Sequence, residues 1–191
     1  KNKLIRYSFN ENSKYIIQEG KEIYDNIKKN WSIYFKNDKP LNIELACGYG
    51  EHTTYFSINN FKNNYIGVDI KGARIYKGAK KLEEIKSSNG VFLRTYIENI
   101  DDFFEKKSVS NILISFPDPR PKKRDIKKRL TNIIFLNKYY NLLKKNGDLT
   151  LKTDDKSLFE FTLEELKKTK FKNININTNL HSNQSNDKFS L

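Results

Sequence analysis

Along most of the chain, short apolar runs alternate with stretches in which apolar residues recur every three or four positions. The runs predict β-strands and the recurring stretches predict helices. Five strands are predicted, at residues 41–46, 65–70, 91–96, 111–116 and 148–153. Helices are predicted between and after them, at residues 51–60, 75–85, 97–104, 133–144 and 156–168, with Gly147 as the stop of the fourth. This order is typical of an α/β protein with a Rossmann-like, doubly wound, mainly parallel sheet.

The two ends of the chain differ from this pattern. In residues 1–40, apolar positions such as Ile16, Ile23 and Ile27 predict one amphipathic helix in front of the sheet domain. We therefore predict an N-terminal helical extension over residues 1–40 and a main domain over 41–191. Residues 172–179 alternate in polarity and predict an edge strand, and residues 188–191 resemble the start of a further strand that is cut short.

Composition excludes several classes of protein. The chain has 191 residues, of which 37% are hydrophobic, so it can bury a core. No run reaches the roughly 18 apolar residues of a membrane helix, and no secretory signal is present, so we expect a cytoplasmic protein without a membrane segment. Cys47 has no cysteine partner, and His52 and His181 stand far apart, so we expect neither a disulfide nor a metal site.

Positive charge is in excess and locally concentrated. Lys and Arg total 36 against 23 Asp and Glu, which gives a net charge of +13 and favours a polyanionic partner. The densest cluster follows the fourth predicted strand, and its candidate phosphate-binding residues are Lys122, Arg124, Lys127, Lys128 and Arg129. The alternative interpretation is a solvated surface without a ligand.

A glycine turn follows the first predicted strand. Gly48 and Gly50 allow a ligand to approach the backbone, and Asp69 ends the next strand, where a carboxylate commonly binds the ribose of an adenosine ligand. The alternative is that the glycines only form a tight turn and that Asp69 caps a helix. A dinucleotide motif would place a third glycine at Thr53, and the acid Glu44 suits a cationic ligand such as S-adenosylmethionine better than a pyrophosphate.

The fourth predicted strand ends in Phe116-Pro117-Asp118-Pro119. Two prolines restrict the backbone around one acid, which predicts that Asp118 is held rigidly at the edge of the sheet where ligands bind. Asp118 is therefore a candidate catalytic residue. The alternative is that its carboxylate only accepts hydrogen bonds within its own turn.

Four segments together resemble the bacterial tRNA (guanine-N7)-methyltransferase family of class I S-adenosylmethionine-dependent enzymes. They are E-L-A-C-G-Y-G-E, G-V-D-I-K-G-A-R, F-P-D-P-x-x-K-K-R-x-x-K-K-R-L and L-K-T-D, in this order between residues 42 and 171. The resemblance implies methyl transfer from S-adenosylmethionine to N7 of a guanine at position 46, in the variable loop of tRNA. It also implies a monomer or a homodimer.

The resemblance also implies roles for individual residues. Glu44, Gly48, Asp69, Thr95 and Asp118 would bind S-adenosylmethionine, with Asp69 on the ribose. Asp118 would lie between the cofactor and the guanine as the catalytic residue. The residues implied to contact the RNA are Lys122, Asp154, Arg124, Lys127, Lys128 and Arg129.

The chain departs from the family pattern in several places. Ala46 replaces the first glycine of the turn, and Thr95 stands where an acid is usual, with Glu98 as a possible substitute. Arg120 replaces a common aromatic residue, and the final Thr-x-aromatic-Glu segment has no match. Two other hypotheses therefore stay open, a catalytically idle RNA-binding protein and a methyltransferase for small molecules.

Overall fold

Six parallel strands form one sheet in the computed structural model, which describes residues 2–178. Their order across the sheet is β1-β4-β3-β2-β5-β6. Their bounds are β1 Ile16–Gln18, β2 Leu41–Leu45, β3 Asn64–Val68, β4 Gly90–Arg94, β5 Val109–Ser115 and β6 Leu143–Lys152. The predicted Rossmann-like, doubly wound sheet is confirmed.

Helices connect the strands and cover both faces of the sheet. Their bounds are α1 Asn2–Asn12, α2 Glu22–Asn26, α3 Ser32–Phe35, α4 Glu51–Asn59, α5 Gly72–Glu84, α6 Ile100–Phe103, α7 Ile133–Leu142 and α8 Lys156–Leu166. Two 3₁₀ helices, Ile97–Asn99 and Lys123–Lys128, precede α6 and α7. No helix within residues 2–178 has the length and apolar character that crossing a membrane requires.

Two apolar layers lie on opposite faces of the sheet, because successive strand residues point to opposite sides. Val91 and Leu93 of β4 belong to the larger layer, whereas Phe92 belongs to the smaller layer beneath α5. The Phe92 ring fits there because Gly50 and Gly67 have no side chains. A Cβ on either glycine would lie 2.2 or 2.5 Å from the ring. These glycines therefore allow the turn after β2 and strand β3 to pack against Phe92 of β4.

The prediction of one helix over residues 1–40 is wrong. This segment forms α1, β1, α2 and α3, and β1 pairs with β4 in parallel. Ile16 and Ile17 are both fully buried, one in each apolar layer. Two adjacent residues that point to opposite sides fit a strand and do not fit the single apolar face of a helix.

The predictions near the C-terminal end also need correction. Residues 172–178 form no strand, and Ile174 and Ile176 are about half exposed, because within the described residues no neighbouring strand pairs with them. Residue 179 and the predicted strand at 188–191 lie outside the described residues. Helix α7 ends at Leu142, and β6 begins at the next residue, so Gly147 lies within the strand and is not a helix stop.

Candidate active site

The carboxyl ends of the five long strands lie level with each other. Leu45 is next to Val68 on one side and Ile114 on the other, and the same register continues to Leu93 and Leu151. The loops that follow these strands therefore meet at one edge of the sheet, which is where α/β proteins bind ligands. Residues predicted for the site that lie in these loops are Gly48, Asp69, Thr95, Asp118, Lys122 and Asp154.

The turn after β2 has an unusual backbone. Ala46, Gly48 and Gly50 have φ angles of +54°, +56° and +72°, in the left-handed region that glycine adopts most easily. No atom lies within 4 Å of the position where a Cβ on Gly48 would stand, so this part of the turn faces open space. Cys47 is buried, which raises the pKa of its thiol, so it acts as a small apolar residue and not as a nucleophile.

Asp69 ties this turn to the start of α5. Its Oδ2 accepts a hydrogen bond from the Gly48 N–H at 3.0 Å, and its Oδ1 accepts one from the Lys71 N–H at 2.8 Å. Only 7% of Asp69 is exposed. A carboxylate has about four acceptor positions, so each oxygen can still accept a hydrogen bond from a bound hydroxyl group.

Glu44 stabilises the first turn of α4. The N-cap of this helix is Gly50, which has no side chain that could accept a hydrogen bond. Oε2 of Glu44 takes this role, accepting from the Thr53 N–H at 2.9 Å and the Thr53 hydroxyl at 2.5 Å. Its Oε1 lies 3.4 Å from His52 Nδ1, and the three residues border a cavity of about 370 Å³.

The Thr95 hydroxyl is not accessible to a ligand at this edge of the sheet. Thr95 is 3% exposed, and its hydroxyl lies 3.2 Å from that of Tyr24, which the sequence predicted only as an apolar position of the N-terminal helix and not as a neighbour of the site. The nearby exposed side chains are those of Glu98 and Tyr96, the latter 59% exposed. Sequence analysis placed Tyr96 at the end of the predicted strand 91–96, whereas the strand ends at Arg94 and Tyr96 lies in the loop that follows.

The loop after β5 is held in a constrained backbone. Phe116 and Arg120, which bracket the Pro-Asp-Pro sequence, have φ angles of +46° and +45°. Phe116 N–H donates to the Lys152 carbonyl at 2.8 Å, which fixes the loop to β6. Asp118 is exposed, and within the described residues its hydrogen bond is the one that Oδ1 accepts from the Arg120 N–H at 3.0 Å. The turn therefore holds one carboxylate oxygen, and the carboxylate faces solvent.

The basic segment that follows is mostly exposed. Lys122, Arg124 and Lys127 have exposed side chains on or beside the 3₁₀ helix. Lys128 donates to Asp125 at 3.0 Å, and this hydrogen bond keeps the pKa of the Asp125 carboxyl below its ordinary value. Asp154 is also exposed, just before Asp155, whose side chain caps α8.

Arg129 does not face solvent with the other cations. It is 6% exposed, its guanidinium lies 4.5 Å above the Phe161 ring, and its Nε–H donates to the Arg120 carbonyl at 3.3 Å. A cation held in this way fixes the loop and is not available for a phosphate. Phe161 lies on α8, so sequence spacing gave no sign of this contact.

The arrangement offers a site for a nucleoside ligand beside a cationic surface. Within residues 2–178, no group of three or more His, Cys, Asp or Glu side chains is placed to hold a metal ion. The available chemistry is therefore hydrogen bonding by carboxylates and backbone groups, and attraction of phosphates by lysines and arginines.

Comparison with known proteins gives consistent results. A family model described as "Putative methyltransferase" matches residues 38–190. The chain is 43% identical to a tRNA (guanine-N(7)-)-methyltransferase of Cytophaga hutchinsonii, over 86% of this chain and 74% of the relative. It is 45% identical to the protein of the same name from Christiangramia forsetii, with 85% and 75% covered. A third relative of this name, from Mycoplasma capricolum, is 38% identical, with 92% and 80% covered.

Solved structures share the fold at lower identity. An antibiotic-related methyltransferase superimposes with a TM-score of 0.54 at 23% identity, covering 71% of each chain. The aminoglycoside resistance methyltransferase NpmB1 gives a TM-score of 0.53 at 16% identity, covering 72% of this chain and 66% of that one. These similarities assign the fold.

Proposed function

The chain belongs to the tRNA (guanine-N(7)-)-methyltransferase family, and from this premise we propose that it methylates N7 of a guanine in tRNA with S-adenosylmethionine as donor. One observation carries the proposal: the glycine turn, Asp69 and Asp118 share one edge of the sheet with a segment of exposed cations. We further propose that the target is the guanine at position 46 in the variable loop, and that the protein acts in the cytoplasm.

The residues at the turn fit the cofactor. Asp69 is fixed by two backbone N–H groups and keeps acceptor positions for the two hydroxyls of a ribose. Gly48 leaves open space above the backbone, and Oε1 of Glu44 supplies negative charge near the ammonium and sulfonium groups of such a ligand. When bound, S-adenosylmethionine supplies an electrophilic methyl group. The Thr95 hydroxyl contributes indirectly in this proposal, through its contact with Tyr24.

Transfer to N7 needs positioning more than proton removal. N7 of guanine has a lone pair in the ring plane and carries no proton, so the chain needs no general base to generate the nucleophile. Alignment of two bound reactants can contribute about 7–11 kcal/mol to lowering the barrier. Asp118, held by the loop and exposed at the edge, would stabilise the positive charge that develops on the guanine ring.

The exposed cations would hold the RNA. Lys122, Arg124 and Lys127 would contact phosphates, and Asp154 would accept a hydrogen bond from the RNA at the neighbouring loop. Arg129 would instead keep the loop in shape through Phe161 and the Arg120 carbonyl.

The experiment is methyl transfer from labelled S-adenosylmethionine to unmodified tRNA transcripts. N7-methylguanine is located by reduction and chain cleavage at the modified base. We expect cleavage at position 46 in the wild-type tRNA and none in a matched transcript with adenine at this position. Label at another base would contradict the proposed position. Binding of both cofactor and tRNA without any transfer would instead support the idle RNA-binding protein.

A further inference from the structure

Helix α5 carries a second cationic surface, outside the segment described above. Between residues 70 and 82 the chain has five Lys or Arg residues and no Asp or Glu. Lys71, Arg74 and Lys77 recur at every third position, so they lie along one side of the start of the helix, and all three are exposed. We name these three residues the α5 strip.

The charges at the start of α5 are unfavourable for the helix itself. Lys71 is the N-cap residue and provides no side-chain cap, and Arg74 lies in a first turn that has no acid, whereas the last turn contains both Lys81 and the acids Glu83 and Glu84. A helix dipole favours acids at the first turn and cations at the last. Helix stability therefore does not explain the cations at the start, whereas an anionic partner does.

The α5 strip is fixed to the turn that follows β2. Lys77 Nζ lies 4.6 Å above the ring of Tyr49, which is in this turn. Gly78 packs against the same turn, since a Cβ on Gly78 would lie 2.7 Å from the Tyr49 carbonyl oxygen. The strip and the turn therefore form one surface.

The sheet order places the α5 strip and the basic segment of residues 120–129 on opposite sides of the site. Helix α5 follows β3, and the basic segment follows β5, while β2 with the turn lies between these strands. Helix α1 extends the strip outward. Asn10 donates to the Gly72 carbonyl at 2.9 Å, and the exposed Arg6 of α1 lies 6.0 Å from the centre of the Tyr76 ring.

We propose that the α5 strip binds the phosphate backbone of the tRNA on the side of the site opposite the basic segment. Contacts on one side anchor an RNA, whereas contacts on both sides also fix its orientation across the site, which is what transfer to one guanine requires. This inference rests on the proposed function and adds a second RNA-binding surface to it.

The test compares two double variants of the same helix. Lys71→Ala with Arg74→Ala removes two cations of the strip. Lys80→Ala with Lys81→Ala removes the same charge about 9 Å or more farther along the helix axis, as the matched control. Dissociation constants for tRNA are measured at several salt concentrations, together with cofactor binding by calorimetry and the melting temperature.

The strip variant is expected to bind tRNA about tenfold more weakly, with a salt slope reduced by roughly two. The control variant is expected to stay within about twofold of the wild type. The melting temperature of the strip variant should be unchanged or higher, because its cations oppose the helix dipole, and cofactor affinity should be unchanged. Weaker RNA binding together with intact folding thus separates a binding role from a structural one.

Equal losses in both variants, or no loss in the strip variant, would overturn the inference. A failure of the proposed function would be detected separately, because methyl transfer is measured on the wild-type protein. If the wild-type protein binds tRNA without transferring methyl groups, the difference between the two variants still decides the inference. If the wild type does not bind tRNA, both proposals are wrong.

Discussion

At the scale of single residues, the candidate site depends on backbone angles that the sequence does not reveal. The Phe-Pro-Asp-Pro motif predicted a rigid acid, and the structure places Asp118 in a constrained loop at the predicted edge. The positive φ angles of Phe116 and Arg120 could not be predicted, because such residues rarely adopt this conformation. Two hydrogen bonds hold the loop, from the Phe116 N–H to the Lys152 carbonyl and from Arg129 Nε–H to the Arg120 carbonyl.

Replacing Asp118 by Asn tests the catalytic role. The variant keeps an oxygen that can accept from the Arg120 N–H but loses the negative charge. We expect the rate of methyl transfer at saturating substrates to fall about 100-fold, the usual effect of removing one positioned electrostatic group. The dissociation constant for tRNA should change less than about twofold. Single-turnover kinetics and filter binding measure the two quantities.

The matched control for this variant is Asp102→Asn, which removes an exposed acid from α6. It should leave both the transfer rate and tRNA binding at wild-type values. A rate for Asp118→Asn that equals the control would exclude Asp118 from the chemistry and leave it as a turn residue.

At the scale of elements, apolar runs predicted strands β2 to β6, although β6 begins at Leu143, five residues before the predicted start. The same reasoning missed β1, because Ile16–Gln18 has only three residues and only two of them are apolar, which is too short a run to predict a strand. It also predicted a strand at residues 172–178, where the alternation is present but no neighbour in the described part of the chain pairs with it. Strand formation depends on partners as much as on local pattern.

Glu165 joins two helices that the sequence treated as separate. Its Oε2 accepts from the Ile133 N–H at the start of α7 at 2.7 Å, and its Oε1 accepts from Lys168 at 2.5 Å. Burial alone would raise the pKa of this carboxyl, but the two hydrogen bonds outweigh it and leave the pKa below its ordinary value of 4.5. The ionised carboxylate therefore stabilises the fold fully above about pH 4.5, and this stabilisation is lost as the pH falls through the lowered pKa.

Replacing Glu165 by Gln should lower the free energy of unfolding by about 1–2 kcal/mol at pH 7. The difference from the wild type should shrink below pH 4.5, where the unfolded carboxyl is protonated. Urea denaturation of both proteins at pH 7 and pH 4 measures this difference in the free energy of unfolding. Glu160→Gln, an exposed change on the same helix, is the control and should cost less than about 0.5 kcal/mol at either pH. A penalty for Glu165→Gln that does not depend on pH would contradict the role of its charge.

At the scale of the whole molecule, the net charge of +13 predicted a polyanionic partner, but not where that partner would contact the surface. The sequence singled out residues 120–129 because their cations are close together along the chain. It did not single out the α5 strip, since three cations spaced along a helix look like an ordinary solvated face. The two surfaces become related only through the order of β3, β2 and β5 in the sheet.

The local balance of charge in the basic segment gives a further prediction on RNA affinity. Asp125 pairs with Lys128, a contact that lowers the pKa of its carboxyl further below neutral pH, so the ionised Asp125 offsets one cation of the segment. Asp125→Asn should therefore tighten tRNA binding and make the salt slope steeper by about one, whereas Lys127→Ala should make it shallower by about one. The affinity for tRNA is measured over a salt series for both variants, and the two salt slopes should change in opposite directions. Weaker binding by Asp125→Asn would mean that the Asp125–Lys128 pair shapes the 3₁₀ helix for the RNA, and that this structural role exceeds the effect of the released charge.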